Sequence, residues 1–111
     1  MTHTTFDAAK ARDFVAAKWD DQIVPQLVDY IRIPNKSPMF DADWVANGHM
    51  ERAVSLMETW ARAQDVPGMT LEVVRLEGRT PLIFIEVPAA NGGRDDDCIL
   101  LYGHLDKQPE M

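Results

Sequence analysis

Apolar positions in the first part of the chain return at helical spacing: Ala8, Ala11, Val15, Trp19, Ile23, Leu27 and Tyr30 form one stripe. The spacing predicts a helix from Ala8 to about Ile31. Asp7 is its expected N-cap, because a short carboxylate there accepts from the free N–H groups of the first turn. Pro25 falls inside the pattern. It has no N–H and its ring crowds the preceding turn, so a kink or a fresh start is expected near Asp20 or Asp21. The run Ile33-Pro34-Asn35-Lys36-Ser37-Pro38 holds two prolines and predicts an irregular, extended connection.

A second helix is predicted from about Ala46 to Gln64. Ala46, Met50, Ala53, Val54, Met57, Trp60 and Ala61 fall on one face, and Glu51, Ser55, Glu58 and Arg62 on the other. The Met and Trp stripe reads as core. Asp43 or Asn47 is the expected cap, Glu58 and Arg62 form an i,i+4 ion pair, and Val66-Pro67-Gly68 ends the helix.

The periodicity then changes to that of strands. Leu71 to Leu76 is rich in β-branched and aliphatic residues, Glu77-Gly78-Arg79-Thr80 is a turn, and Leu82 to Val87 is almost wholly apolar. The two runs are predicted to pair as an antiparallel hairpin, with Leu82–Val87 central and covered on both faces. A polar loop from Ala89 to Asp97 leads to a third short strand, Ile99 to Tyr102. The order predicts an α/β fold: two N-terminal helices packed on a mixed β-sheet.

Composition narrows this picture. The chain has 111 residues, enough for one small domain, with 46% hydrophobic and 26% charged residues. A net charge of −7 disfavours nucleic acid and anionic membrane as main partners. Cys98 is the single cysteine, which excludes an internal disulfide. Its apolar surroundings predict a buried structural thiol. The N-terminus has neither a basic nor an apolar signal region and no apolar run is long enough to span a bilayer, so a cytoplasmic protein is expected. Asp95, Asp96 and Asp97 are adjacent and lack the spacing of a calcium loop, which makes them a solvated loop tip.

The chemistry gathers at the end of the third apolar run, in Tyr102-Gly103-His104-Leu105-Asp106-Lys107-Gln108-Pro109. Ligands in open α/β sheets collect at the carboxyl ends of strands. Gly103 permits a turn or a close backbone approach. His104 offers a ring nitrogen to a metal near neutral pH, and Asp106, two residues on, lies on the same side of an extended chain. From there its carboxylate can hold the imidazole, or bind and tune the surroundings of a metal. Taken alone, His-x-Asp is common, and a surface histidine beside a solvated aspartate is its default reading. His3 and His49 read as solvated or capping residues.

The wider string resembles the first metal motif of the M20 metallopeptidases, in their dipeptidase and carnosinase-like branch. There an apolar strand leads into Gly-His-x-Asp and then a proline. Leu27 to Pro38 (LVDYIRIPNKSP) is similar to that family's first helix and its Ile-Pro-x-x-Ser loop, and Asn47-Gly48-His49-Met50 with the helix after it fits the same branch. The resemblance implies that residues 1–111 are the N-terminal part of a di-zinc peptidase catalytic domain. It implies His104 as a metal ligand and Asp106 as the catalytic-site carboxylate that positions it. Zinc is the expected metal, with manganese or cobalt as alternatives, and a dipeptide or short peptide is the expected substrate. A homodimer through a further domain is also implied.

The family's bridging aspartate, general-base glutamate, further carboxylate ligands and second histidine have no counterpart in this stretch. These 111 residues alone are therefore expected to be inactive. They are also expected to be marginal or aggregation-prone, because the last strand leaves an unpaired edge. Two other readings stay open. One is a small α/β binding or interaction protein without metal; the other, within the family, is an aminoacylase or deacetylase.

Overall fold

In the computed structural model, which describes residues 5–110, the chain divides into two units between Arg32 and Ile33. The first is helical from Ala8 to Ile31. Asp7 caps α1 (Ala8–Lys18) as expected, its Oδ1 accepting from the Lys10 N–H at 3.0 Å. A π-helical turn, Trp19–Ile23, joins it to α2 (Val24–Ile31), which carries Pro25 in its first turn. The break foreseen near Asp20 and Asp21 is therefore a widened turn: the Val24 N–H reaches back to the Trp19 carbonyl. The wider turn opens room for the pyrrolidine ring against the carbonyl four residues back. It also rephases the stripe. Val15, Trp19, Ile23 and Leu27 recur every four residues, and each such step overshoots an α-helical turn by about 40°.

In the second unit, Ile33 and Asn35 are buried on the segment after α2. The Asp41 carboxylate accepts from the Asp43 N–H at 3.2 Å and from Asn47 Nδ2 at 2.9 Å, which ties the one-turn helix α3 (Trp44–Asn47) to the loop before it. Gly48 follows in the left-handed region at φ 72°, and α4 runs from His49 to Arg62. The helix expected from Ala46 to Gln64 is thus interrupted at Gly48, and α4 has neither Asp43 nor Asn47 as a side-chain cap. Met50, Ala53 and Val54 are buried on α4 and, with Ile33, make the core among the described residues. Met57, Trp60 and Ala61 are half-buried, while Ala46 is exposed.

Strand β1 (Thr70–Val74) pairs antiparallel with β2 (Leu82–Glu86), with Leu71 opposite Ile85 and Val73 opposite Ile83. Leu71, Val73 and Ile83 are partly covered. Arg62 Nη2 donates to the Leu71 carbonyl at 3.2 Å, and Arg75 donates from both Nε and Nη2 to Glu51 at 3.0 and 2.8 Å. These bonds hold β1 and its C-terminal extension to α4. Arg62 also makes the foreseen pair with Glu58, at 2.9 Å. The hairpin turns through Gly78.

Four sequence expectations fail here, for one reason. The sheet has two strands and is antiparallel, not mixed. Leu82–Val87 is not covered on both faces: Leu82 is 54% exposed and Val87 56%. Ile99–Tyr102 is extended but makes no strand. Cys98, beside it, is exposed instead of buried. A strand is defined by its ladder, and among the described residues nothing lies alongside Ile99–Tyr102 to complete one. The α/β class stands, in the form of helices with a two-stranded antiparallel sheet.

Two stability measurements follow. Gly68 has φ 79°, and a Cβ built there would lie 2.9 Å from Pro88 Cγ. Gly68→Ala is expected to lower unfolding free energy by about 1–2 kcal/mol in urea titrations, since an L side chain is strained in this backbone region. Hydrogen bonds from Arg75 hold the Glu51 carboxyl below its ordinary value of 4.5, with burial opposing them and the guanidinium charge adding to them. A carboxyl lowered in the folded state stabilises above its unfolded value and loses that contribution as pH falls through the folded value. Glu51→Gln is therefore expected to lower the urea midpoint at pH 7, with an effect that shrinks progressively as pH falls below 4.5. The shift should be modest and salt-sensitive, because both side chains are about half exposed.

Candidate metal-ligand site

The motif lies where extended chain meets a clamp. Every residue from Phe84 to His104 is exposed, and Leu105, Asp106 and Lys107 are the first to be partly covered again. Their cover is the segment Ile33–Ser37. The Lys107 N–H donates to the Asn35 carbonyl and the Ser37 N–H to the Lys107 carbonyl, both at 2.9 Å, which makes an isolated parallel bridge between Lys36 and Lys107. Asn35, 1% exposed, donates from Nδ2 to the Leu105 carbonyl at 2.9 Å. The Lys107 ammonium donates to Asn35 Oδ1 and to the Ile33 carbonyl. Burial pushes Lys107 below the ordinary lysine value. The two oxygen acceptors act the other way, favouring the ammonium.

His104 and Asp106 are brought together as their spacing implied. His104 Nδ1 lies 3.0 Å from Asp106 Oδ1 and 3.0 Å from the Asp106 carbonyl oxygen. Both partners are acceptors, so the proton of this pair belongs on Nδ1. The neutral ring then keeps a lone pair on Nε2, and the side chain is 67% exposed. This is the chemistry of a carboxylate–histidine ligand: the carboxylate fixes tautomer and ring direction and raises the basicity of the other nitrogen. The donor set fits one metal ligand with its orienting carboxylate. Among the described residues no three His, Cys, Asp or Glu side chains converge, so these residues do not by themselves make a closed metal site.

The other candidates lie apart from this chemistry. His49 opens α4 with its Nδ1 3.3 Å from Arg52 Nη1, where it accepts from the guanidinium. His3 lies outside the described residues. Asp96 and Asp97 are exposed and pair with Arg94, at 2.6 Å and 3.7 Å, which bears out the solvated loop tip. Gly103 shows no conformational need for glycine: a Cβ there would meet nothing within 4 Å. Sequence reasoning missed Asn35 and Lys107. They are separated by 72 residues, and neither carries a local pattern that points to the other.

No protein-family model matches this sequence, and no curated protein matches it either. No helix among the described residues is long and apolar enough to cross a membrane.

The geometry makes a direct prediction. Both acceptors of the His104 Nδ1–H belong to Asp106, so Asp106→Ala should leave the ring with the backbone oxygen alone. The expected result is rotamer averaging of His104, read as collapse of its Hα–Hβ couplings toward mean values by NMR, with the amide shifts of Ala53 and Val54 unchanged.

Proposed function

We propose that this chain is part of a two-metal hydrolase of the M20 type, acting on dipeptides or short peptides, in which His104 ligates one metal and Asp106 orients it. The observation that carries the reading is the paired contact of His104 Nδ1 with Asp106, which leaves Nε2 as the donor. The string Tyr102-Gly103-His104-Leu105-Asp106-Lys107-Gln108-Pro109 supports it by its resemblance to the family's first metal motif.

In this reading a zinc pair, or manganese or cobalt, supplies an activated water and a Lewis acid for the peptide carbonyl. The residues here have narrower tasks. Asp106 holds the proton on Nδ1 and fixes the ring, and His104 presents Nε2. The general base and the other ligands come from outside the described residues, together with the pocket that selects a dipeptide over an acylated amino acid. A partial zinc-peptidase catalytic domain is the fold this reading implies, with a homodimer as its assembly and the cytoplasm as its compartment.

A metal-free binding or interaction protein is the second reading. The observation compatible with it is the apolar run Ile99–Tyr102, whose four side chains are 86–87% exposed. Such a run is a docking element in either reading, so it does not decide between them.

Zinc titration separates the two. Added to the 111-residue chain, Zn2+ is expected to shift the His104 Nε2 resonance and to bind weakly and saturably by calorimetry, and His104→Ala is expected to abolish the calorimetric binding. No saturable zinc-dependent dipeptide hydrolysis is expected from these residues alone. A His104 resonance indifferent to millimolar zinc would mean that these residues hold no working metal site by themselves.

A further inference from the structure

The pair His104–Asp106 depends on the placement of one backbone unit. His104 Nδ1 donates to a side-chain oxygen and a main-chain oxygen of the same residue, Asp106. Whatever fixes the peptide planes on either side of Asp106 therefore fixes the ring. Those planes are held from both sides by Asn35. Its Nδ2 binds the carbonyl before Asp106, its own carbonyl binds the N–H after Asp106, and its Oδ1 accepts from the Lys107 ammonium. Lys107 then reaches past Asn35 to the Ile33 carbonyl.

An amide with 1% exposure is costly to bury unless its polar atoms are bonded. Here both side-chain polar atoms of Asn35 bond the residues that flank Asp106. An apolar residue would fill the same volume beside Ile33 without setting any register. The exposed run before the motif cannot set it either, because Ile99–Tyr102 has no ladder among the described residues.

We propose that Asn35 and Lys107 are positioning residues for the His104–Asp106 pair. They hold the main chain of Leu105–Lys107 so that both oxygens of Asp106 meet Nδ1, and the imidazole is preset in the tautomer that leaves Nε2 free. The proposal rests on the reading above for the use made of Nε2, and on geometry alone for the tautomer. Neither residue touches the ligand nitrogen, and neither has a catalytic role.

The tautomer is measured on the metal-free chain by long-range 1H–15N correlation of the His104 ring, at a pH where the ring is neutral. In the wild type a protonated Nδ1 and a bare Nε2 are expected. Lys107→Met keeps most of the aliphatic stem and removes the ammonium. Asn35→Asp keeps an acceptor for Lys107 and replaces the donor to Leu105 with an oxygen. In both variants the ring is expected to move toward the protonated-Nε2 pattern of a free histidine, while the Ala53, Val54 and Ile83 amide shifts stay in place. Zinc affinity, read from the His104 shift, is expected to fall about 10- to 100-fold, the range for loss of a ligand's supporting contacts.

If Asn35→Asp does not fold, Lys107→Met decides alone, since it takes the ammonium donor from the buried Asn35 Oδ1 and with it the contact that orients the amide toward the Leu105 carbonyl. An unchanged wild-type tautomer in a folded Lys107→Met chain overturns the proposal, whatever zinc does. A tautomer that changes in the variants while zinc ignores His104 in the wild type supports the positioning role independently of any metal bound by these residues alone.

Discussion

The buried amide of Asn35 is the constraint on which the second unit's chemistry depends. It lies on an irregular segment between two prolines, where no helix or ladder supplies partners for backbone groups. The parallel bridge of Lys36 with Lys107 gives that segment one rung of sheet, and the side chain of Asn35 extends the contact by one residue toward the motif. A buried polar group that is fully bonded specifies one arrangement more sharply than apolar packing does, since any slip leaves it unpaired. This is why Leu105–Lys107 is covered while the twenty-one residues before it, Phe84 to His104, are exposed.

The rest of the unit is held with few buried side chains. Ile33 joins Met50, Ala53 and Val54 in the core, so the same short segment that carries Asn35 also packs against α4. The hairpin is attached to α4 in part through charged groups at its margin, with Glu51 and Arg75 at one end and Arg62 with the Leu71 carbonyl at the other. Such exposed contacts contribute modestly and orient more than they stabilise. The outer face of the hairpin shows the cost of having only two strands: Leu82 and Phe84 alternate with partly covered Ile83 and stay in solvent. A two-stranded ribbon is marginal without further cover, which agrees with the apolar character of its exposed positions.

Local signals were legible in the sequence wherever a residue acts on its own neighbours. Asp7 caps α1, Glu58 pairs with Arg62, and His104 meets Asp106, and each pair lies within four residues. The π turn was legible as a disturbance, because Pro25 has the same missing N–H in any fold. Its form as a widened turn was not legible, because the spacing of Val15, Trp19, Ile23 and Leu27 also fits an uninterrupted α-helix. Gly48 was the missed punctuation: a glycine inside an apparently continuous stripe marks a left-handed residue that ends α3 and starts α4.

What the sequence by itself determined is the order of helices and hairpin and the geometry of the His-x-Asp pair, because hydrogen bonds over a few residues depend on side-chain type and spacing alone. Tertiary structure decided the remainder. Whether an apolar run such as Ile99–Tyr102 becomes a strand depends on a partner backbone that the run does not contain. Whether Cys98 is buried depends on the same missing neighbour. The joining of Asn35 to Leu105 and Lys107 spans about seventy residues of chain and lies beside the bridge of Lys36 with Lys107, a contact that no local pattern specifies.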